Sequence, residues 1–90
     1  MEVKTNTLTP ELFLDLYTSV GWDAPGIQQI KTALKNTLAS FTAYENNQPV
    51  GMVRLIGDGG MSFYIKDFAV LPAFQSKGVG TILIESIEGY

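Results

Sequence analysis

Hydrophobic residues recur at helical spacing over the first 40 positions and gather into strand-like runs after them. The weak alternation from Val3 to Thr7 predicts a short first strand. Thr9 then precedes a proline and a glutamate, which predicts a helix capped by the threonine side chain. Gly21 marks the predicted end of this helix. Its apolar stripe consists of Leu12, Phe13, Leu16, Tyr17 and Val20.

A second helix is predicted after residues 23–25, and two strands follow at residues 41–45 and 50–56. The asparagine-rich turn between the strands is typical of a hairpin. A glycine-rich turn precedes residues 61–70, which we predict to be the longest strand. Because apolar residues lie on both of its faces, we expect it to be central in the sheet. The predicted buried face of the second helix is Ile27, Ile30, Leu34 and Leu38.

The last predicted element is a helix with apolar positions at Val79, Ile82, Leu83 and Ile87. The order of elements indicates a mixed α/β (α+β) chain: two helices, an antiparallel meander, then a strand–glycine turn–helix crossover. A crossover helix normally returns to a parallel strand, and none follows here. Either Gly89 ends a complete miniature fold or, the favoured alternative, residues 1–90 are a single domain truncated at its C-terminus. A second copy could cover the exposed helix face and strand edge as a homodimer.

Composition narrows the function classes. No run approaches the ~20 apolar residues of a membrane helix, so we expect no membrane contact. The formal net charge of −3 argues against nucleic-acid binding, which uses a basic face. With neither cysteine nor histidine, we expect no metal site and no thiol- or histidine-dependent catalysis. The lack of cysteine also fits a cytoplasmic protein.

The chemically most informative segment is Gln75 to Gly80, QSKGVG, between the last strand and the last helix. The first N–H groups of a helix have no internal partner and lie at the positive end of its dipole, so they bind phosphate. Gly78 and Gly80 place no Cβ in the way of an anion and are able to adopt positive φ. Lys77 adds a positive charge. The Walker pattern fails because Lys77 comes before Gly78, and the dinucleotide pattern lacks its third glycine, so these residues predict a phosphorylated cofactor without identifying it.

Residues 67–80, DFAVLPAFQSKGVG, resemble the signature D-x-A-V-x-P-x-x-Q-x-x-G-x-G of the GNAT superfamily of acyl-CoA-dependent N-acyltransferases, with no mismatch. Residues 19–22, 50–54 and 58–59 also resemble common bacterial members. The resemblance implies the N-terminal half of the GNAT fold and coenzyme A as cofactor. It further implies transfer of an acetyl group from acetyl-CoA to a primary amine of a small molecule or peptide. Family members carry further strands and a helix after the glycine-motif helix.

The resemblance also implies roles for single residues. The Phe68 N–H would polarise the thioester carbonyl, an oxyanion-hole role, while the amine attacks directly without a covalent enzyme intermediate. The pantetheine arm would pair with the strand at Phe68, Ala69 and Val70. The pyrophosphate would lie on the main-chain N–H groups of Gln75, Ser76, Lys77, Gly78, Val79, Gly80 and Thr81.

Three further side chains have two interpretations each. Asp67 is a general base or, the favoured alternative, a partner for nearby backbone or an arginine. Arg54 binds substrate or pairs with Asp67, and pairing is favoured. Trp22 lines the acceptor pocket or belongs to the core, and the core is favoured. For the whole chain, the alternative to an acetyltransferase is a non-catalytic module that binds coenzyme A or acyl-CoA, or an inactive fragment that only assembles.

Overall fold

The computed structural model describes all 90 residues as a four-stranded antiparallel sheet with helices on both faces. The mixed α/β prediction is thereby confirmed. None of the helices is both long and apolar enough to cross a membrane. The strands, which lie in the sheet in chain order, are β1 (Glu2–Thr5), β2 (Ala39–Glu45), β3 (Gln48–Gly57) and β4 (Phe63–Val70). The helices are α1 (Pro10–Ser19), α2 (Ile27–Lys35) and α3 (Val79–Glu88), with a short 3₁₀ turn at Pro72–Phe74.

The boundaries of α1 follow the predicted local signals. The Thr9 side chain accepts a hydrogen bond from the Leu12 N–H at 3.2 Å, and Gly21 adopts a φ of +86° just beyond the helix. The second helix is shorter than its apolar pattern indicated. Leu38 lies outside α2, because its N–H donates to the Leu55 carbonyl at 2.9 Å and so begins the sheet. Ile27 is exposed, so the predicted buried face is wrong at both of its ends.

The sheet separates two hydrophobic cores. On one face, α1 and α2 cover the sheet; on the other, α3 covers it. The core under α1 and α2 consists of Phe13, Leu16, Ile30, Met52 and Ala69. The core under α3 consists of Ala39, Phe41, Ala43, Val50, Val53, Leu55, Val79 and Leu83.

The position of β4 differs from the prediction. Within residues 1–90 it lies at the edge of the sheet and pairs only with β3, whereas β3 pairs on both sides and is the longest strand. Phe63, Tyr64 and Ile65 are exposed, so the first half of β4 lacks cover on either face. An apolar run indicates which residues of a strand favour burial. It does not determine how many strands pair with that strand, because this depends on the arrangement of the whole sheet.

Candidate functional site

The loop between β4 and α3 has an alternating backbone conformation. Ser76 and Gly78 adopt φ values of +69° and +86°, with Lys77 between them. A left-handed conformation costs a residue with a Cβ roughly 1–2 kcal/mol, and Gly78 avoids this cost. Gly80 does not need positive φ, because it lies in the first turn of α3. A Cβ on Gly80 would lie 3.6 Å from the Phe68 ring, an ordinary contact distance, so Gly80 packs against that ring.

Six consecutive N–H groups in this loop, from Ser76 to Thr81, donate no hydrogen bond within the chain. The first intrahelical bond of α3 runs from the Ile82 N–H to the Gly78 carbonyl at 3.1 Å. Gly78, the N-cap, has no side chain with which to satisfy the amides that follow it. Free amides at a positive helix end, with the exposed Lys77 beside them, form a typical anion-binding arrangement.

Gln75 differs from the other residues of the loop. Its N–H donates to the Pro72 carbonyl at 3.4 Å, and its side-chain Nε2 donates to the Val70 carbonyl at 3.1 Å. The first bond closes the 3₁₀ turn, and the second ties the loop to the last residue of β4. Gln75 therefore anchors the loop, and the row of free amides begins one residue later than the sequence indicated.

The outer edge of β4 is unpaired, and two hydrogen bonds show which of its backbone N–H and C=O groups point to that edge. The Leu71 N–H donates to the Val50 carbonyl at 2.9 Å, toward β3, whereas the Val70 carbonyl faces Gln75. Backbone groups alternate in direction along a strand, so those of Phe68 face the same open edge as those of Val70. Ala69 points its side chain into the core under α1 and α2.

Asp67 and Phe68 form a β-bulge in β4. Met52 faces Ala69 and Arg54 faces Lys66, so Val53 alone stands opposite two residues of β4, Asp67 and Phe68. Asp67 adopts a φ of +54°, an uncommon conformation for a residue other than glycine. Nothing in the local sequence pattern indicated this bulge.

Arg54 and Asp67 form a part-buried ion pair, which confirms the favoured interpretation of both residues. Arg54 Nε donates to Asp67 Oδ2 at 2.7 Å, and Arg54 is only 7% exposed. Its Nη1 donates to the Ala33 carbonyl at 3.2 Å and to Thr37 Oγ1 at 3.0 Å. These partners at the end of α2 could not be found from spacing, because they lie 17 and 21 residues away.

A cleft of about 300 Å³ lies between the helices α1 and α2 and the bulged part of the sheet. Arg54 and Asp67 line it. Trp22 is not in its wall; it packs edge-on against Tyr17, which is, at 5.0 Å between ring centroids. Trp22 is 41% exposed, so the favoured core interpretation is wrong. The remaining lining residues include Phe13, Asp23, Ile30, Ala33 and Lys66.

Two other cavities lie away from these residues. One of about 430 Å³ is lined by Leu55, Gly59, Phe63, Ile87 and Tyr90, and is apolar. The other, of about 190 Å³, lies between the β1–α1 and α2–β2 connections. No three Asp or Glu side chains come together in a way that could hold a metal ion.

Comparison with known proteins gives a consistent result. Residues 7–90 match the model of the acetyltransferase (GNAT) family. An uncharacterized N-acetyltransferase, ycf52 of Pyropia yezoensis, is 32% identical over 76 residues, which are 80% of this chain and 44% of that protein. The chain thus spans less than half the length of the curated relatives it matches.

Solved structures agree with this match. A probable acetyltransferase, SA2161 of methicillin-resistant Staphylococcus aureus, superposes with a TM-score of 0.90 and 32% identity over 99% of this chain and 67% of its own. An aminoglycoside 6′-N-acetyltransferase complexed with coenzyme A has a TM-score of 0.74 at 14% identity, over 99% of this chain and 54% of its own. At that identity the likeness is one of fold.

Proposed function

This chain belongs to the acetyltransferase (GNAT) family, as its residues 67–80 predicted, and we propose that it forms the coenzyme A-binding part of an N-acetyltransferase. The acetyl group would pass from acetyl-CoA to a primary amine by direct attack. The observation that carries this proposal is the row of six free amides beside the open edge of β4. A phosphorylated cofactor with an extended arm fits both features.

The loop is proposed to hold the diphosphate of coenzyme A. The N–H groups of Ser76, Lys77, Gly78, Val79, Gly80 and Thr81 are free to donate to phosphate oxygens. Gln75 is proposed to contribute by anchoring the loop to Val70 rather than by donating its own N–H. The Lys77 ammonium adds an exposed charge that strengthens the attraction to an anion.

The outer edge of β4 is proposed to bind the pantetheine arm as an added strand. Phe68 and Val70 direct their backbone groups to this edge, while Ala69 keeps the strand in the core. Acetyl-CoA supplies an acyl group activated as a thioester. The Phe68 N–H is proposed to donate to the thioester carbonyl oxygen, and a donor of this kind is worth roughly 3 kcal/mol of barrier.

The amine acceptor is proposed to enter the cleft on the α1 and α2 side of the bulge. A small-molecule or peptide amine would meet Asp67 Oδ1, which accepts no hydrogen bond within the chain. A base role for Asp67 and a substrate contact by Arg54 stay predictions. The same holds for Trp22 at the cleft rim, for a cytoplasmic location, for a single domain and for a homodimer.

The test measures binding and turnover separately. Titration calorimetry compares coenzyme A with pantetheine, which lacks the diphosphate. We expect the chain to bind coenzyme A much more tightly than pantetheine, or to bind coenzyme A and not pantetheine. Free thiol released from acetyl-CoA in the presence of an amine panel measures transfer. Because the chain has no cysteine, every thiol detected comes from coenzyme A.

Thiol release that depends on an amine would support the enzyme. Tight coenzyme A binding without thiol release would favour the alternative, a non-catalytic binding module. Equal affinity for coenzyme A and pantetheine would contradict the diphosphate site.

A further inference from the structure

The Arg54 guanidinium joins three parts of the fold. It reaches from β3 to Asp67 in β4, and to Ala33 and Thr37 at the end of α2. It also lies over the Phe13 ring of α1, with 5.9 Å between its central carbon and the ring centroid. No other side chain in the structure is hydrogen-bonded both to β4 and to the end of α2.

Asp67, which lies in the bulge, is the residue of β4 to which Arg54 is hydrogen-bonded. Its φ of +54° is strained for a residue with a Cβ, and such strain persists only where surrounding contacts hold it. The carboxylate of Asp67 accepts a single hydrogen bond within the chain, the one from Arg54 Nε at 2.7 Å. Arg54 is therefore the hydrogen-bonding partner of the Asp67 side chain in the bulged conformation.

The bulge determines the direction of the next residue. Because two residues lie opposite Val53, the in–out alternation of backbone N–H and C=O groups is shifted by one residue at the bulge. The Phe68 groups therefore point the same way as those of Val70, away from β3, and not the way that continuing the alternation from Lys66 would give. Removing the bulge would shift the alternation by one residue and turn the Phe68 N–H toward β3.

We propose that Arg54 is a positioning residue: by holding Asp67 in the bulge, it keeps the Phe68 N–H at the open edge of β4 and in register with the cleft. The inference deepens the proposed function and rests on it. Arg54 contacts neither the free amides nor the strand edge itself, so it acts through Asp67.

Arg54→Met tests this proposal, with Phe41→Leu as a matched control. Phe41 is buried in the core under α3, on the opposite face of the sheet from the Arg54 side chain, and takes part in none of the hydrogen bonds that Arg54 makes. The first measurement is amide hydrogen exchange at Ala69, whose N–H faces β3 next to the bulge. We expect exchange at Ala69 to be at least tenfold faster in Arg54→Met than in the control, after correction for global stability.

The second measurement is the ratio of the dissociation constants of coenzyme A and acetyl-CoA. Only acetyl-CoA carries the thioester carbonyl that Phe68 would contact. We expect Arg54→Met to leave the affinity for coenzyme A within twofold and to reduce the preference for acetyl-CoA about threefold or more. A merely structural role would weaken both ligands equally.

The double variant Arg54→Met/Asp67→Gly provides the rescue. Glycine adopts positive φ without strain and removes the unpaired carboxylate, so the bulge no longer needs the arginine. We expect the double variant to recover both the Ala69 protection and the preference for acetyl-CoA to within twofold of the original chain. The double variant also allows the proposal to be tested if Arg54→Met alone fails to fold. Arg54→Lys keeps the charge beside Asp67, so we expect its Ala69 exchange and its preference for acetyl-CoA to lie between those of the original chain and Arg54→Met.

The proposal is overturned if Arg54→Met matches Phe41→Leu in both measurements, or if Asp67→Gly rescues neither. Failure of the original chain to bind coenzyme A would instead contradict the proposed function. In that case the exchange at Ala69 and its rescue still decide whether Arg54 holds the bulge.

Discussion

Gly51 in β3 lies directly beneath Val79, the first residue of α3: a Cβ on Gly51 would lie 2.7 Å from Val79 Cγ1 and 3.2 Å from Leu83 Cδ1. Both of these side chains are fully buried. The missing side chain at Gly51 therefore allows the start of α3 to approach the sheet. This approach brings the free amides of the loop close to Phe68 in β4.

Gly51→Ala should lower both stability and coenzyme A affinity. Val79 is branched at Cβ and has little freedom to move, so the added methyl group should push the start of α3 away from the sheet. We expect a loss of about 1–3 kcal/mol in the free energy of unfolding, measured by urea denaturation. Gly60→Ala is the control, since a Cβ there meets only an ordinary contact in an exposed loop. Equal stabilities of the two variants would contradict the close packing.

Gly78→Ala and Gly78→Asn should separate backbone conformation from side-chain space. A Cβ on Gly78 would meet nothing within 4 Å, so only its φ of +86° resists substitution. We expect alanine to cost about 1–2 kcal/mol in the free energy of unfolding. Asparagine should cost less, since it tolerates this conformation better. If alanine proves as stable as asparagine, the left-handed N-cap is not required.

Lys77→Ala should weaken coenzyme A binding modestly and flatten its salt dependence. The lysine is exposed and water screens its charge, so we expect a loss of about fivefold in affinity, or ~1 kcal/mol. Calorimetry at low and high salt measures both effects. Lys31→Ala removes the same charge from an exposed position of α2 and should change neither the affinity for coenzyme A nor its salt dependence. A hundredfold loss at Lys77 would show that the charge, not the backbone, dominates the site.

Asp58 should contribute to stability in a pH-dependent way. The N–H groups of Ser62, Gly60 and Met61 donate to its Oδ1 at 3.1, 2.8 and 2.8 Å, and they hold the pKa of this carboxyl below its ordinary value of 3.8. Since the folded state favours the charged form, the carboxylate stabilises the fold above about pH 4. That contribution is lost as the pH falls through the folded-state pKa.

Asp58→Asn isolates this effect, because the amide keeps an acceptor oxygen but does not titrate. We expect the variant to be less stable than the original chain at pH 6, and the difference to shrink as the pH is lowered below 3.8. Denaturation in urea at several pH values measures it. A difference that stays constant over this range would contradict the link between Asp58 and the turn.

Local signals in the chain were sufficient for much of the fold. The Thr9 cap, the stop at Gly21 and the hairpin between β2 and β3 each depend on neighbouring residues, and each is present. The glycine-rich loop could also be recognised from the sequence, because the residues that form it are adjacent in the chain. By contrast, the predicted face of α2 extended into Leu38, which a bond to Leu55 draws into the sheet.

The chain by itself determined its family, its element order and the glycine-rich turn before α3, because all three depend on short-range pattern. Only the tertiary structure decided that β4 lies at an edge, that Asp67 is bulged, and that Arg54 joins it to the end of α2. These features depend on groups far apart in the chain that packing brings together. Spacing along a sequence carries no information about which of them will meet.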